Sequence, residues 1–172
     1  RARFPSAELA LLSTCNRVEL YAAGPGADAA PASDELLDAL LGYHGLPVKR
    51  IEGQAVMLTH REAVAHLFRV AASLDSMVVG EPQILAQVKQ AYQLATDRAV
   101  AGPLIHAVFQ SASRVARRVA NETAIHQRRV SIPSVAVADF ALQIFEQFDD
   151  KRTLILGAGE MAEETLQYLR DQ

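Results

Sequence analysis

A single cysteine, Cys15, is all the thiol this 172-residue chain carries. No disulfide can form within it, and nothing argues for an oxidising compartment. No apolar run approaches the roughly 18 residues of a membrane-spanning helix, so no transmembrane segment is expected. The chain opens Arg1-Ala2-Arg3, with neither an initiating Met nor an apolar signal segment. Lost upstream sequence is therefore expected. An excess of positive charge is lacking as well. The net charge of −3 gives no overall basic field, so any nucleic-acid contact has to come from a local patch. What is present is ordinary globular composition, 50% apolar and 22% charged, which argues against a disordered chain. The length allows one domain, or one plus a piece. No internal repeat or low-complexity segment is evident. A soluble cytoplasmic protein is the expected class.

Periodicity outlines the elements. Leu9-Ala10-Leu11-Leu12 is a short apolar run suited to a buried strand. Ser13 to Arg17 interrupts it, and Val18-Glu19-Leu20-Tyr21 resumes with period-two alternation. A Gly/Ala/Pro-rich loop follows from Gly24 to Ser33, then a helix over 34–43. Apolar residues at one-face spacing predict further helices over 61–77 and 83–100. Another begins at Pro103, a residue tolerated in a first turn, and carries the stripe Leu104, Ile105, Val108, Phe109, Ala112, Val115 and Val119. The polar stretch His126-Gln127-Arg128-Arg129 reads as a linker. Ser131 to Phe148 reads as a helix, residues 151–156 as a strand, and the remainder as a glycine turn and a final helix.

Two features carry chemistry. Gly157-x-Gly159-x-x-Ala162 follows an apolar strand pattern and opens a helix, the context that gives this spacing meaning. One glycine permits the tight turn, the second lets backbone approach a pyrophosphate, and Ala162 keeps helix and strand close. Free N–H groups at the helix N-terminus then suit phosphate. The alternative is a plain strand-turn-helix in which glycine only turns the chain. Cys15 sits among Thr14, Asn16 and Arg17. A cysteine beside a strand is commonly a small buried hydrophobe, whereas a neighbouring cation favours the thiolate nucleophile. Paired with a nicotinamide fold, a thiolate suggests thioester formation followed by hydride transfer. The residues alone leave both readings open.

Three blocks carry a resemblance. Ser13-Thr14-Cys15-Asn16-Arg17-Val18-Glu19 resembles the signature of glutamyl-tRNA reductases around their nucleophilic cysteine. His66-Leu67-Phe68-Arg69-Val70-Ala71, Leu74-Asp75-Ser76 and Gly80-Glu81-Pro82-Gln83-Ile84-Leu85 with Gln87-Val88-Lys89 look like the family's second signature. Gly157-Ala158-Gly159-Glu160-Met161 resembles its NADPH turn. The blocks stand in the family's order and span nearly the whole chain.

The resemblance implies that Cys15 attacks the ester carbonyl of glutamyl-tRNA, and that NADPH reduces the thioester to glutamate-1-semialdehyde for tetrapyrrole synthesis. It matches Thr14, Asn16, Arg17, Ser76, Glu81, Pro82, Gln83 and Gln87 to substrate-binding positions, with Arg17 facing the glutamate carboxylate. It matches His66 to a residue important for activity, its role open between acid–base work and orienting substrate. Gly157, Ala158, Gly159, Glu160, Met161 and Ala162 match the NADPH site, and no metal is implied. The bland rivals are a core histidine at His66, a helix-capping Glu81, a turn residue at Ser76, and a solvated face for Gln83 and Gln87.

The expected fold class is α/β: a helix-rich α+β catalytic domain over residues 1–130, then the first βα unit of a Rossmann-type domain over 131–172. Relative to the family, the chain looks cut short at both ends. The strand and helix before the cysteine block are missing, as are the rest of the NADPH domain and the C-terminal dimerisation region. The linker also differs from the small-residue version expected there. The partners implied are glutamyl-tRNA, glutamate-1-semialdehyde aminomutase and a second copy in a homodimer, although a monomeric fragment is compatible with the missing region. Lys89, Arg114, Arg117 and Arg118 are candidate tRNA-phosphate contacts, with a solvated face as the alternative. Competing readings are a thiol aldehyde dehydrogenase acting on a free metabolite, and a non-catalytic tRNA- or partner-binding fragment. NAD and NADP are not distinguished by the residues, because the acidic ribose-binding position would fall beyond Gln172.

Overall fold

The computed structural model describes residues 3–26, 30–47, 49, 51, 53–125, 132–145 and 151–170. The expected linker over 126–129 lies outside them.

Strands β1 (Glu8–Ser13) and β2 (Val18–Ala23) form an antiparallel hairpin. In this register Ala10 faces Tyr21 and Leu12 faces Glu19. Directly opposed side chains share a face of the sheet. Ala10 and Leu12 are buried while Leu11 is 43% exposed. The apolar run over 9–12 is therefore buried on one side only, not on both. Along that inner face β2 presents Tyr21 and Glu19, with Arg17 of the turn just before it, so the face turns from apolar to charged as it approaches the hairpin tip.

Three helices cover the inner face: α2 (His60–Ala71), α3 (Gln83–Asp97) and α4 (Pro103–Glu122). The first helix, α1 (Ser33–Tyr43), precedes them. The α3 and α4 helices pack on β1, and the three helices pack on one another. Their buried stripes are Leu67, Val70 and Ala71 on α2, then Ile84, Val88, Ala91 and Ala95 on α3, then Ile105, Phe109, Ala112 and Ala116 on α4. Phe109 is fully buried and meets Tyr21 edge-on, with ring centroids 5.3 Å apart, and Tyr92 stacked at 5.9 Å. Truncating such a residue to alanine costs about 3–5 kcal/mol.

The α4 helix is capped from a distance. Ile105 N–H donates to Glu8 Oε2 at 2.7 Å, satisfying a first-turn N–H that the helix cannot. Gly102, the residue before Pro103, makes room for that carboxylate: a Cβ there would lie 2.6 Å from Glu8 Cδ.

Two helices stop short of their expected ends for one reason. The α2 helix ends at Ala71 instead of 77, and α3 ends at Asp97 instead of 100. Ser73 (φ 57°) and Ala99 (φ 50°) take the left-handed conformation. Leu74 N–H returns to Arg69 C=O, and Val100 N–H returns to Ala95 C=O. These are Schellman closures, normally made with glycine.

Beyond the linker the expected helix over 131–148 is helical from Ile132 to Ile144, but with a π-helical middle. It comprises α5 (Ile132–Val135), a π-helical stretch (Ala136–Ala141) and α6 (Leu142–Ile144). Residue 131 and residues 146–148 lie outside the described part. The expected strand over 151–156 is not formed: these residues have no regular structure, and Leu154 and Leu156 are 81% and 88% exposed. A parallel strand is an apolar run buried on both faces between neighbours, and the one sheet among the described residues is the β1–β2 hairpin. The final helix, α7 (Glu160–Arg170), forms as expected and packs on α5 and the π-helical stretch. Residues 3–125 are α+β and helix-rich, and among the described residues no Rossmann unit is formed: the glycine turn is followed by a helix but preceded by no strand.

Candidate active site

The hairpin tip is the centre of the site. Ser13 pairs with Val18, so residues 14–17 form the turn. Thr14 N–H donates to Arg17 C=O at 2.9 Å. The Thr14 hydroxyl accepts from Asn16 N–H at 3.2 Å and from Arg17 N–H at 3.1 Å. With its hydroxyl so engaged, Thr14 braces a turn that holds Cys15 out into solvent: the thiol is free and exposed. The buried-hydrophobe reading of this cysteine is overturned, because the apolar alternation of β1 ends at Leu12.

A cleft opens beside Cys15. It is lined by Thr14, Cys15, Asn16 and Arg17 from the turn, by Ser76, Met77 and Glu81 from the loop after α2, and by Gln83, Ile84 and Gln87 from α3. Met161 of α7 completes it. The sequence-derived substrate set thus converges on one cleft, except for Pro82, which is exposed at the start of α3 and does not line it. The convergence depends on the early stop of α2. The left-handed turn at Ser73 sends the chain back, and Gly80 (φ 90°) closes the loop with its N–H on Ser73 C=O at 3.0 Å.

Behind the wall lies a charged cluster of which the sequence reading singled out Arg17 and His66 but not Glu19, Tyr21 or Asp75. Arg17 Nη1 donates to Glu19 Oε1 at 3.0 Å, and its Nη2 donates to Asp75 Oδ1 at 3.3 Å and to the Asp75 carbonyl. His66 Nε2 meets the same Glu19 Oε1 at 2.8 Å, and its Nδ1 lies 3.4 Å from Asp75 Oδ2. The Tyr21 hydroxyl donates to Glu19 Oε2 at 2.5 Å. Burial and the hydrogen bond to Glu19 push the Tyr21 phenol well above its ordinary range. Burial works to lower the Arg17 value, but its hydrogen bonds to Glu19 and Asp75 outweigh it and raise the net. His66 does not line the cleft and reaches it only through Arg17, Glu19 and Asp75. Alternation along β2 is the signal that could have found Glu19 and Tyr21: residues 17, 19 and 21 share the face of Leu12 and Ala10. Asp75 had no such signal, since the turn that aims it is invisible in the helix periodicity.

The glycine turn stands next to this cleft. Gly157 adopts φ 130°, which side chains rarely allow, and the space in front of Gly159 is open. Ala162 and Glu163 N–H bond to Gly159 C=O and start α7. A narrow turn and a helix N-terminus are present, while among the described residues no sheet flanks them. Gly157, Ala158, Gly159 and Glu160 are exposed, and Ala162 is half-buried. Gln83 shares a second cleft with Glu160, Glu163, Glu164 and Gln167. Burial, then the charge of Glu164, raises the Glu81 carboxyl above its ordinary value. Among the described residues, no group of three or more His, Cys, Asp or Glu side chains is placed to hold a metal ion. Nor is any helix there long and apolar enough to cross a membrane.

The family model for the N-terminal domain of glutamyl-tRNA(Glu) reductase matches residues 2–123, which include the hairpin tip, the loop after α2 and the start of α3. The chain belongs to the glutamyl-tRNA reductase family. Glutamyl-tRNA reductase of Rhodopirellula baltica is 53% identical over 169 residues, covering 98% of this chain and 39% of that protein. The Rubrobacter xylanophilus reductase is 47% identical over 165 residues, covering 96% of this chain and 38% of that protein. The solved glutamyl-tRNA reductase from Methanopyrus kandleri superposes with a TM-score of 0.61 at 38% identity, over 95% of this chain and 37% of that one. The chain thus spans about two-fifths of the length of these reductases.

Proposed function

We propose that the intact protein reduces glutamyl-tRNA(Glu) to glutamate-1-semialdehyde, the first step of 5-aminolevulinate and porphyrin synthesis by the route that starts from glutamate. Residues 1–130 form the catalytic, glutamyl-tRNA-binding domain, and residues 131–172 begin the NADPH-binding domain. The observation that carries this reading is the cleft in which an exposed Cys15 meets the polar substrate set and a residue of the glycine turn.

The Cys15 thiolate attacks the ester carbonyl, forming a C–S bond as the ester C–O bond breaks. The tRNA leaves as its terminal hydroxyl, taking up a proton. Arg17, its guanidinium fixed by Glu19 and Asp75, supplies the positive charge for the glutamate carboxylate. Ser76, Gln83 and Gln87 offer polar contacts to the amino acid and the tRNA end, and Asn16 flanks the nucleophile. His66 acts as a positioning residue, fixing Glu19 and Asp75 and through them Arg17. The exposed glycine turn with its helix N-terminus suits the pyrophosphate of NADPH, which supplies the hydride when bound. The protein acts in the cytoplasm, as a homodimer when intact, and passes its unstable aldehyde to glutamate-1-semialdehyde aminomutase.

The test is glutamyl-tRNA labelled in the glutamate, mixed with the protein without NADPH, and Cys15→Ser in parallel. Label transfer to protein and release of glutamate that both require Cys15 are expected. Oxidation of free aldehydes with no need for tRNA would instead establish a thiol aldehyde dehydrogenase.

A further inference from the structure

The cleft beside Cys15 has two kinds of wall. Most lining side chains are polar, and the apolar ones are Met77, Ile84 and Met161. Ile84 is a buried core residue, whereas Met77 is 70% exposed and Met161 is 51% exposed. The two methionines come from opposite sides: one from the loop that follows α2, the other from the first turn of α7, two residues after Gly159. Glu160, Glu163, Glu164 and Gln167 facing Gln83 across the neighbouring cleft place the same helix turns against the start of α3. The helix opened by the glycine turn therefore lines the cleft of the nucleophile through a single apolar side chain.

An acyl group on Cys15 has two fates. Water attacking the carbonyl carbon breaks the C–S bond, returns the thiol with its proton and releases glutamate. Reduction, for which bound NADPH would supply the hydride, would instead return the Cys15 thiolate and release the aldehyde. Polar walls draw water in, and hydride transfer gains from its exclusion. Long unbranched methionine side chains cover an irregular opening and swing aside readily, which suits a cleft that must admit and release the end of a large substrate.

We propose that Met161, with Met77 opposite, is the apolar cover of the Cys15 acyl group, holding water off so that reduction outruns hydrolysis. This rests on the thioester reading above. The test uses the full-length protein as Met161→Ala, Met161→Leu and Met77→Ala, with labelled glutamyl-tRNA. Without NADPH, the acyl-enzyme that each variant forms on Cys15 is isolated first, so that its lifetime is read apart from any change in the rate of acylation. Release of free glutamate from the acyl-enzyme should accelerate by roughly tenfold in Met161→Ala, about 1.4 kcal/mol of barrier. Met161→Leu should restore the native lifetime, and Met77→Ala should shorten it in the same direction. Alkylation of Cys15 by iodoacetamide should quicken in parallel, a readout independent of turnover. With NADPH present, the ratio of semialdehyde to glutamate should fall in the same order. An unchanged acyl-enzyme lifetime in Met161→Ala and Met77→Ala overturns the cover and leaves the thioester reading standing. Absence of any Cys15-dependent acylation in the native protein overturns both.

Discussion

His66 and Arg17 share one oxygen: Glu19 Oε1 accepts from His66 Nε2 at 2.8 Å and from Arg17 Nη1 at 3.0 Å. Glu19 thereby ties α2 to the hairpin tip, and its other oxygen holds Tyr21. Its side chain is 16% exposed, so the donors it satisfies have little water to fall back on. Glu19→Ala should cost about 1–3 kcal/mol, the penalty for stranding buried donors, read by chemical denaturation. Glu19→Gln keeps the shape and should cost less stability while raising KM for glutamyl-tRNA, because Arg17 loses its charged anchor. An unchanged KM would show that Asp75 alone suffices to orient the guanidinium.

Ala99 ends α3 at φ 50°, a conformation that costs an L-residue roughly 1–2 kcal/mol. Glycine escapes that cost but gives back part of the gain through the greater freedom of its unfolded chain. Ala99→Gly should therefore stabilise the protein by up to about 1 kcal/mol. A loss of stability in thermal or chemical unfolding would show that the Schellman closure does not strain this residue.

The same turns mark where the sequence was legible and where it was not. The hairpin, the helix starts and the α4 stripe follow from alternation, apolar spacing and Pro103, all local signals. The ends of α2 and α3 do not, because serine and alanine occupy positions where the chain's readable stop signal would be glycine. The strand over 151–156 was misread for a different reason: apolar content makes a strand only when neighbours supply hydrogen bonds. At the site, the residues around Cys15 were named from the resemblance of their block to a family signature, not from spacing. The contact made by Asp75 was not legible, since its approach to Arg17 spans 58 residues and depends on the unreadable turn at Ser73.

Glu81 faces α7 across the cleft mouth. Burial first and Glu164 second raise its carboxyl above the ordinary 4.5. A carboxyl with a raised folded-state pKa binds its proton more tightly folded than unfolded, so stability falls as pH rises through the interval from 4.5 to that raised value. Above it, the charged form weakens the fold. Glu81→Gln should stabilise the protein at pH 7 and flatten the pH dependence of unfolding across that interval. Equal pH profiles for variant and native protein would show that water already solvates the carboxylate fully.

The three arginines of α4 are not equivalent candidates for tRNA phosphate. All are exposed, but Arg118 is engaged at two points by Glu122, Nε at 3.0 Å and Nη2 at 3.1 Å. A phosphate has to displace that carboxylate first. Arg114 spends one N–H on the Ser111 hydroxyl, and Arg117 spends its Nε on the Ser113 carbonyl, leaving the rest of each guanidinium to solvent. If this face meets the tRNA, Arg117→Ala should weaken binding and reduce the slope of log K against log salt by about 0.7–0.9, the release of one phosphate's counterions. Arg118→Ala should change the slope less, and Glu122→Ala should tighten binding by freeing Arg118. An Arg117→Ala slope equal to the native one, with binding measured over 50–200 mM salt, would assign the strip to solvent and move the search for phosphate contacts to Lys89 and the start of α3.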